Sequence, residues 1–365
     1  MNLFRTIFFI LVNQSKNFLR LLFGLPLTTP PIVSMTIDED DVEIALNWLD
    51  RKDEWFSVEE INAYQDEFAS WNGSTYAFSF LGGRIALSAI IYALNIQPGE
   101  EVILPGYTCV VVPNAFDFAG VKTIFSDIEL ETFGLDASKI EELISPQTKA
   151  ILIQHLYGLV NRDYEVILDI AKRHSLFVIE DCAHSAGAEF NGRKVGNWGD
   201  VAFYSSERSK VYSTIKGGIA TTNNQEIAIG LEKFQQDTPF PDLGLIEKQL
   251  YNVIIDFNTF KHHQRWWRGD LAKFKYWDKY LNSTTDDEII GKKPPYYGLK
   301  MPAPIASLGR NQLRKIDHYN ELRSISAQYW ARWCDENGYK KPRILNGSNP
   351  IFLRYPVLVE ESKKK

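Results

Sequence analysis

Apolar residues follow two alternating arrangements between residues 84 and 180. Some form short continuous runs of strand length, whereas others recur at the helical spacing of three and four positions. Strands that alternate with helices of this length predict a mainly parallel central sheet, with right-handed crossovers and flanking helices. The predicted strands are Val102–Leu104, Thr123–Phe125, Lys149–Gln154 and Leu176–Glu180, and the predicted helices are Arg84–Leu94 and Tyr164–His174.

Further elements are predicted on either side of this α/β region. Apolar residues at helical spacing follow an acidic start in Asp38–Leu49, and Val58–Trp71 is predicted to be a second helix. Leu308–Trp333 is predicted to be helical and Ile351–Val359 to be a strand. The strand is assigned to a small C-terminal α/β domain that is atypical or incomplete.

Polar side chains follow three of the apolar runs. They are His155, Asp181 and the segment Ser205–Lys210, which comes after the run Val201–Tyr204. Ligands of parallel sheets bind at the carboxyl ends of the strands, so these side chains are expected to meet there. An acid at one strand end and a lysine beyond the next is a layout that holds pyridoxal 5'-phosphate (PLP). The lysine forms a Schiff base and the acid pairs with the pyridinium nitrogen.

The same residues also have plainer interpretations. Capping of a following helix is the plainer alternative for Asp181, and the functional role is preferred. A lone lysine such as Lys210 is usually a solvated surface residue, and here only its context argues otherwise. An amine must be neutral to attack, so the site should lower the pKa of Lys210 by burial or by a nearby cation such as Arg208.

Composition limits the class of protein further. The chain has 365 residues, of which 45% are hydrophobic and 24% are charged, as in a globular protein with one large and one smaller domain. A net charge of −6 argues against nucleic acid as a partner. The three cysteines have no ligand-like spacing, which excludes a cysteine zinc site and favours a reducing, cytoplasmic location. No other ligand accompanies His262 and His263, so no metal is expected.

The N-terminal extension, residues 1–25, combines apolar runs with the basic residues Arg5, Lys16 and Arg20. A membrane-spanning helix needs roughly 20 consecutive apolar residues, and Arg5 and the polar residues 13–17 interrupt this stretch. A peripheral helix on a membrane surface is one interpretation. The others are a helix packed on a partner subunit and a start codon assigned too early.

Four regions are therefore expected: the extension 1–25, a large domain 26–230, an insertion 231–300 and a partial small domain 301–365. The insertion is rich in aromatic and basic residues, as in Phe257–Arg268. It is interpreted as helices that pack on the main domain, with a substrate or membrane surface as the alternative.

The chain resembles the DegT/DnrJ/EryC1/StrS family of PLP-dependent sugar aminotransferases. The resemblance rests on Val178–Ala188, Gly192–Gly196 and the Ser205–Lys210 segment, and extends from about residue 26 to 220 and again over 301–317. It implies the type I aminotransferase-like PLP transferase fold and a homodimer. It also implies transfer of an amino group from an amino acid such as glutamate to a keto-sugar, commonly nucleotide-linked, for polysaccharide synthesis.

The resemblance also assigns residues to sites. Lys210 and Asp181 take the catalytic positions, and His184 lies beside the cofactor ring, although a structural histidine is an equal alternative. The remaining matches are Gly83, Arg84 and Ser205 at the phosphate, Cys109 or Tyr107 at the ring face, and His155 and Tyr157 in the substrate pocket.

Three positions depart from the family pattern. Arg84 stands where the family has a threonine hydroxyl, and its charge is a possible replacement. Cys109 stands where many members have a stacking aromatic residue, which leaves Tyr107 as a substitute. Gly298, in Tyr296–Met301, stands where an asparagine of the family reaches the neighbouring subunit's cofactor.

These departures keep two alternatives open. One is a noncatalytic regulatory or assembly protein with the same fold, against which the Asp181 and Lys210 pair argues. The other is a PLP-dependent sugar dehydratase, a branch of the family that commonly replaces the lysine with histidine. Lys210 argues against that branch, so an aminotransferase is the preferred prediction.

Overall fold

A seven-stranded sheet forms the centre of the protein, which a computed structural model describes for residues 36–261, 274–276, 278–294, 297–359 and 15. The strands are β1 (Tyr76–Phe80), β2 (Glu101–Pro105), β3 (Lys122–Ser126), β4 (Thr148–Gln154), β5 (Phe177–Asp181), β6 (Glu189–Phe190), β7 (Arg193–Lys194), β8 (Val201–Ser205), β9 (Gly218–Thr222) and β10 (Ser348–Asn349). Strands β6, β7 and β10 form a separate small sheet.

The large sheet has the strand order β1-β9-β8-β5-β4-β2-β3. Strands β3, β2, β4, β5 and β8 are parallel, which confirms the predicted mainly parallel sheet. Strands β9 and β1 add an antiparallel edge. The register places Gln154 beside Asp181 and Asp181 beside Phe203, so the parallel strands end at a common edge.

Nine helices lie entirely within the described part of the chain. They are α1 (Glu39–Leu49), α2 (Val58–Asn72), α3 (Gly83–Ala93), α4 (Val111–Asp117), α5 (Tyr164–Arg173), α6 (Gln225–Asp237), α7 (Leu243–Asp256), α8 (Asp286–Ile289) and α9 (Ala303–Asn337). Four short 3₁₀ segments are Lys52–Glu54, Ala137–Lys139, Glu141–Leu143 and Leu156–Gly158, and a π-helical turn covers Phe257–Lys261.

The sheet separates two hydrophobic cores. Ile103 of β2 belongs to one core, and its neighbours Val102 and Leu104 belong to the other, because successive strand residues face opposite sides. Helices α1, α2, α5, α7 and α9 contribute to the first core, and α3, α4 and α6 to the second. Burial on both faces explains the continuous apolar runs in the sequence.

Local sequence signals set several helix ends. Asp38 and Asp41 form a capping box at the start of α1, and the Asn224 side chain accepts hydrogen bonds from two backbone N–H groups at the start of α6. Helix α9 ends at Gly338, whose φ of 71° suits a residue without a Cβ.

The predicted C-terminal strand is wrong for residues 351–359. Ile351 and Phe352 instead pack on the turn at Leu156, and only Leu358 forms an isolated bridge. Phe352 has a left-handed φ of 46°, which breaks an extended run, and Pro356 lacks a donor for a ladder. The predicted helix 308–333 is present within the longer α9.

The region 231–300 is partly helical. The boundary expected at 230 falls inside α6, and α7 buries Ile246, Leu250 and Val253 in the first core. His262 and His263 lie outside the described residues, as does the extension 1–25 apart from residue 15. Among the described residues, no helix has both the length and the apolar character needed to cross a membrane.

Candidate active site

A cavity of about 410 Å³ lies at the carboxyl ends of β4, β5 and β8. The last residues of these strands, Gln154, Asp181 and Ser205, line it together with Lys210 and Gly83. Ligands of parallel sheets bind at such an edge because the strand ends and the following loops converge there.

Lys210 and His184 are in direct contact inside this cavity. The distance between Lys210 Nζ and His184 Nε2 is 3.0 Å. The backbone N–H of Tyr157 donates to His184 Nδ1 at 3.4 Å, which assigns the proton of a neutral imidazole to Nε2. His184 therefore donates to Lys210, and Lys210 accepts through its lone pair.

The environment lowers the pKa of both side chains. Burial lowers the pKa of Lys210, and the nearby carboxylates of Asp181 and Glu207 only partly oppose this effect. Burial, followed by the charge of Lys210, holds the pKa of His184 well below its usual range. A neutral amine is the nucleophilic form of lysine.

Asp181 is 5% exposed at the end of β5. Its Oδ1 accepts a hydrogen bond of 3.0 Å from the backbone N–H of Ala183. Burial raises the pKa of Asp181, although this hydrogen bond and the charge of Lys210 oppose the shift. A buried carboxyl group in a cavity is well suited to a ligand that brings a positive charge or an N–H donor.

Gly83 and Ser205 lie against each other and line one end of the cavity. A Cβ added to Gly83 would lie 3.0 Å from Ser205 Cβ and 3.3 Å from Ser205 Oγ, so a larger residue would require Ser205 to move away. Gly83 also begins α3, where backbone N–H groups lack partners within the helix. This end has the features of an anion site.

Arg84 does not present an unpaired charge to that anion site. Its guanidinium group forms an ion pair with Glu288 and donates to the carbonyl oxygen of Ser283 at 3.1 Å. The arginine therefore binds residues 283–288 to α3.

Arg208 is likewise engaged by other protein groups. It donates to Asn252 Oδ1 and to the carbonyl oxygen of Leu281, both at 3.0 Å, and pairs with Asp256. The contribution of Arg208 to the pKa of Lys210 stays a prediction, whereas burial and then the charge of Arg354 lower that pKa.

Cys109 lines the cavity, whereas the described lining residues do not include Tyr107. Half of the Tyr107 side chain is exposed, and its hydroxyl hydrogen-bonds to that of Tyr157 at 2.7 Å. Tyr157 has a left-handed φ of 59°, and its ring stacks on His184 with a centroid distance of 6.3 Å. Tyr107 and Tyr157 thus form one layer behind His184.

His155 is fully buried and lies apart from the cavity lining. Its Nε2 lies 3.1 Å from Glu180 Oε2, and the ring meets Tyr164 edge-on. Glu180 also accepts hydrogen bonds from Tyr164 and from three backbone N–H groups of residues 196–199. His155, Glu180 and Cys182 have ligand atoms within 4.8 Å of one another, but Glu180 is already engaged by these donors.

Sequence reasoning missed several lining residues. Gln154 Oε1 is buried without a hydrogen-bond partner and faces the cavity, and Lys216 adds a second lysine. Residues 280–285 close one side from far along the chain. The signal for Lys216 was its place beside Gly217 and Gly218, whereas no local pattern marks residues 280–285.

The sheet and the cavity define a fold of PLP-dependent enzymes, which solved structures confirm. The structure of E. coli GDP-4-keto-6-deoxy-D-mannose-3-dehydratase with bound hydrated PLP matches with a TM-score of 0.70 and 21% identity, covering 92% of this chain and 80% of that one. This likeness shows the fold alone. The predicted fold class is confirmed.

The chain belongs to the DegT/DnrJ/EryC1/StrS aminotransferase family, whose sequence profile matches residues 36–239. The dTDP-3-amino-3,6-dideoxy-alpha-D-galactopyranose transaminase of Aneurinibacillus thermoaerophilus is 36% identical over 303 residues, covering 83% of this chain and 70% of the relative. The family resemblance predicted from sequence is therefore confirmed.

The chain spans only part of other relatives. The GDP-perosamine synthase of Caulobacter vibrioides is 40% identical over 165 residues, which is 45% of this chain and 44% of that protein. The match thus covers about half of each chain.

Proposed function

We propose that this protein is a PLP-dependent aminotransferase. It takes an amino group from an amino acid, most simply glutamate, and transfers it to a keto-sugar that is nucleotide-linked. The observation that carries the proposal is the buried contact of 3.0 Å between Lys210 and His184, in a cavity that Asp181 also lines. The names of the family and of the sugar transaminases among its relatives support the reaction class.

The residues of the cavity fit PLP. Its volume of about 410 Å³ falls within the ordinary range of small-ligand sites. Ser205 and the backbone at Gly83 would hold the phosphate, and Asp181 would pair with the pyridine nitrogen. Gln154 supports a polar ligand, because its buried Oε1 otherwise has no hydrogen-bond partner.

When bound, PLP supplies an electron sink for the carbanion formed in transamination. The protein's own contribution is to place and move protons around that sink. Burial lowers the pKa of Lys210, and in its neutral form Lys210 Nζ can attack a carbonyl and later accept a proton from substrate carbon. His184 Nε2 holds its proton against Lys210 Nζ and so fixes the orientation of the amine.

Two further roles follow from the same geometry. Cys109 lies in the cavity lining, where its small side chain would leave room for a planar ring. Tyr157 supports His184 from behind, and Tyr107 supports Tyr157. These contacts favour a positioning role for both tyrosines, whereas His155 contacts Glu180.

The wider organisation is part of the same proposal. We infer a cytoplasmic homodimer, with a large domain over 26–230, an insertion over 231–300 and a smaller domain over 301–365. Helix α6 runs across residue 230, so the first two regions are joined rigidly. Contact of residues 1–25 with a membrane surface stays a prediction.

The proposal is tested by adding PLP to the purified protein and to Lys210→Ala. The parent should develop a visible chromophore that glutamate bleaches, and borohydride should fix the cofactor to the peptide that contains Lys210. Lys149→Ala is the matched control, because this lysine is 44% exposed and pairs with Glu100. It should behave like the parent.

Other results would favour the alternatives. Absence of any chromophore in the folded parent would favour the noncatalytic protein. Release of a deoxygenated sugar without transfer of nitrogen would favour the dehydratase, although that branch commonly lacks a lysine at this position.

A further inference from the structure

Glu207 begins the turn that carries Lys210. The backbone N–H of Lys210 donates to the carbonyl oxygen of Glu207 at 2.9 Å, which closes a turn of four residues. The backbone N–H of Glu207 also donates to Oγ of Ser205, the last residue of β8, at 3.3 Å. Glu207, Ser209 and Lys210 all line the cavity. The direction in which Lys210 points therefore depends on how Glu207 is held.

The carboxylate of Glu207 holds this turn from one side. Its Oε2 accepts hydrogen bonds from the backbone N–H of Ser209 at 2.9 Å and from the Ser209 hydroxyl at 2.6 Å. Burial acts to raise the pKa of Glu207, but hydrogen bonds from Ser209 and Ser283 outweigh it and lower that pKa. Glu207 is therefore ionised near neutral pH, and an ionised carboxylate can accept several hydrogen bonds at once.

The same carboxylate binds a wall of the cavity that is formed by residues 280–285. All six of these residues line the cavity. The hydroxyl of Ser283, within this wall, donates to Oε1 of Glu207. One oxygen of Glu207 thus contacts the wall while the other contacts the turn that carries Lys210. Only 12% of the Glu207 side chain is exposed, so water competes little for these hydrogen bonds.

Arg208 makes a second connection between the turn and the wall. Its Nη1 donates to the Tyr280 hydroxyl at 2.9 Å, and its Nη2 donates to the carbonyl oxygen of Leu281 at 3.0 Å. A movement of the wall must therefore either move the turn or break these hydrogen bonds. Arg208 also pairs with Asp256 of α7, so its replacement would disturb that helix as well. Glu207 is the simpler of the two connections to test.

We infer that Glu207 is a positioning residue, which holds Lys210 in its reactive orientation while the 280–285 wall is closed. The inference rests on the proposed function, because reaction with PLP is what the orientation of Lys210 would serve. Closure of the wall and placement of the amine become one step, since a single carboxylate binds both segments. A ligand that orders the wall also aligns Lys210 for attack on a carbonyl.

Ser283→Ala tests the connection without cofactor. It removes the hydroxyl that binds Glu207 and leaves the charge of Glu207 unchanged. The carbonyl oxygen of Ser283 still accepts from Arg84 at 3.1 Å, so the wall keeps this contact. Hydrogen exchange is followed at the backbone N–H of Leu281 in the wall, which donates to a side chain of α7 at 3.1 Å, and at the backbone N–H of Lys210 in the turn. Both should exchange about tenfold faster, because one hydrogen bond to a charged group is lost.

The second measurement follows the attachment of PLP to Lys210 by its visible absorbance. The rate at saturating PLP reports the orientation of the amine, whereas the half-saturating concentration reports the binding of the cofactor. In Ser283→Ala the saturating rate should fall about tenfold, and the half-saturating concentration should stay the same. Ser283→Thr keeps the hydroxyl and should recover most of the rate. A general loss of structure would change both quantities.

Matched variants separate this contact from general effects. Ser57→Ala removes an exposed hydroxyl that donates to Glu59 at 2.9 Å, which is the same kind of hydrogen bond, and should change neither quantity. Glu207→Gln removes the charge, and its loss combined with that of Ser283→Ala should be smaller than the sum of the two, since both act through one contact. Circular dichroism verifies the fold of each variant. If Ser283→Ala does not fold, Ser209→Ala tests the other oxygen of the carboxylate by the same measurements.

Several results would overturn the inference. Faster exchange at Leu281 with unchanged exchange at Lys210 would show that Ser283 stabilises the wall alone. An unchanged saturating rate of PLP attachment in Ser283→Ala would show that the contact does not orient Lys210. A parent that forms no chromophore would overturn the proposed function, whereas exchange at Lys210 and Leu281 would still decide whether the wall and the turn are coupled.

Discussion

Replacing Glu288 with glutamine tests whether one ion pair holds the wall of the cavity in place. Glu288 is 1% exposed and Arg84 is 14% exposed, so the pair is largely shielded from water. Glutamine keeps the size of the side chain and can still accept the hydrogen bonds from Thr285 that begin α8. The substitution therefore removes the charge while preserving most of the packing.

The magnitude follows from burial. Removing one partner of a buried ion pair costs about 3–5 kcal/mol, because the other charge is left without compensation. Arg84 retains its hydrogen bond of 3.1 Å to Ser283 and some contact with water, so the lower end applies. A loss of about 3 kcal/mol corresponds to a change on the order of a hundredfold in the local opening equilibrium.

Hydrogen exchange measures this opening directly. The backbone N–H groups of Ile289 and Gly291 donate to the carbonyl oxygens of Thr285 and Glu288 at 3.1 and 3.2 Å. Their exchange should accelerate on the order of a hundredfold in Glu288→Gln, with little change in β4 or β5.

A matched control and a double variant complete the experiment. Glu54→Gln breaks the exposed pair with Arg51, whose side chains are 50% and 52% exposed, and should change little. Arg84→Gln combined with Glu288→Gln should recover part of the loss, since neither charge is then left alone. Equal exchange in Glu288→Gln and Glu54→Gln, or strict additivity in the double variant, would refute the reasoning.

Two further predictions concern pH. Burial acts to raise the pKa of Glu180, but hydrogen bonds from His155 and other donors outweigh it and lower that pKa below its usual 4.5. Glu180→Gln should therefore destabilise the protein by about 3 kcal/mol near neutral pH. The difference in melting temperature between the parent and this variant should shrink as the pH falls below about 4.5. A difference that stays constant with pH would contradict this linkage. Burial and then the charge of Arg354 lower the pKa of Lys210, so Arg354→Gln should raise that pKa. The pH midpoint for PLP attachment should rise with it. Arg343→Gln removes an exposed cation and should leave the midpoint unchanged. An unchanged midpoint in Arg354→Gln would contradict the assignment of this cation.

Much of the fold was predictable because its signals are local. Continuous apolar runs marked β2, β4 and β5, since both faces of the sheet are buried, and the mainly parallel arrangement is confirmed. The predicted strand 351–359 failed because composition does not reveal a left-handed residue such as Phe352. The antiparallel pair β9 and β1 also escaped prediction, because it joins segments distant in sequence.

The candidate site likewise contains residues that the sequence predicted and contacts that it did not. Asp181, Ser205 and Lys210 were found because each follows an apolar run, and the structure brings all three to one cavity. Their roles stay predictions until the cofactor experiments are done. The pairing of Arg84 with Glu288 could not be read from sequence, because no local pattern specifies a contact across so many residues.

The place of β1 in the sheet constrains the order in which the protein can fold. Tyr76 of β1 pairs with Thr222 of β9, and among the described strands β9 is the only neighbour of β1, apart from an isolated bridge between Phe80 and Lys300. A chain emerging from the ribosome therefore carries an unpaired β1 until residue 222 has been made. Contacts across such long separations slow folding, and an unpaired apolar strand is prone to aggregation in that interval. Gly218 and Gly83 meet in the same pairing step, so the anion end of the cavity forms only when the sheet is complete.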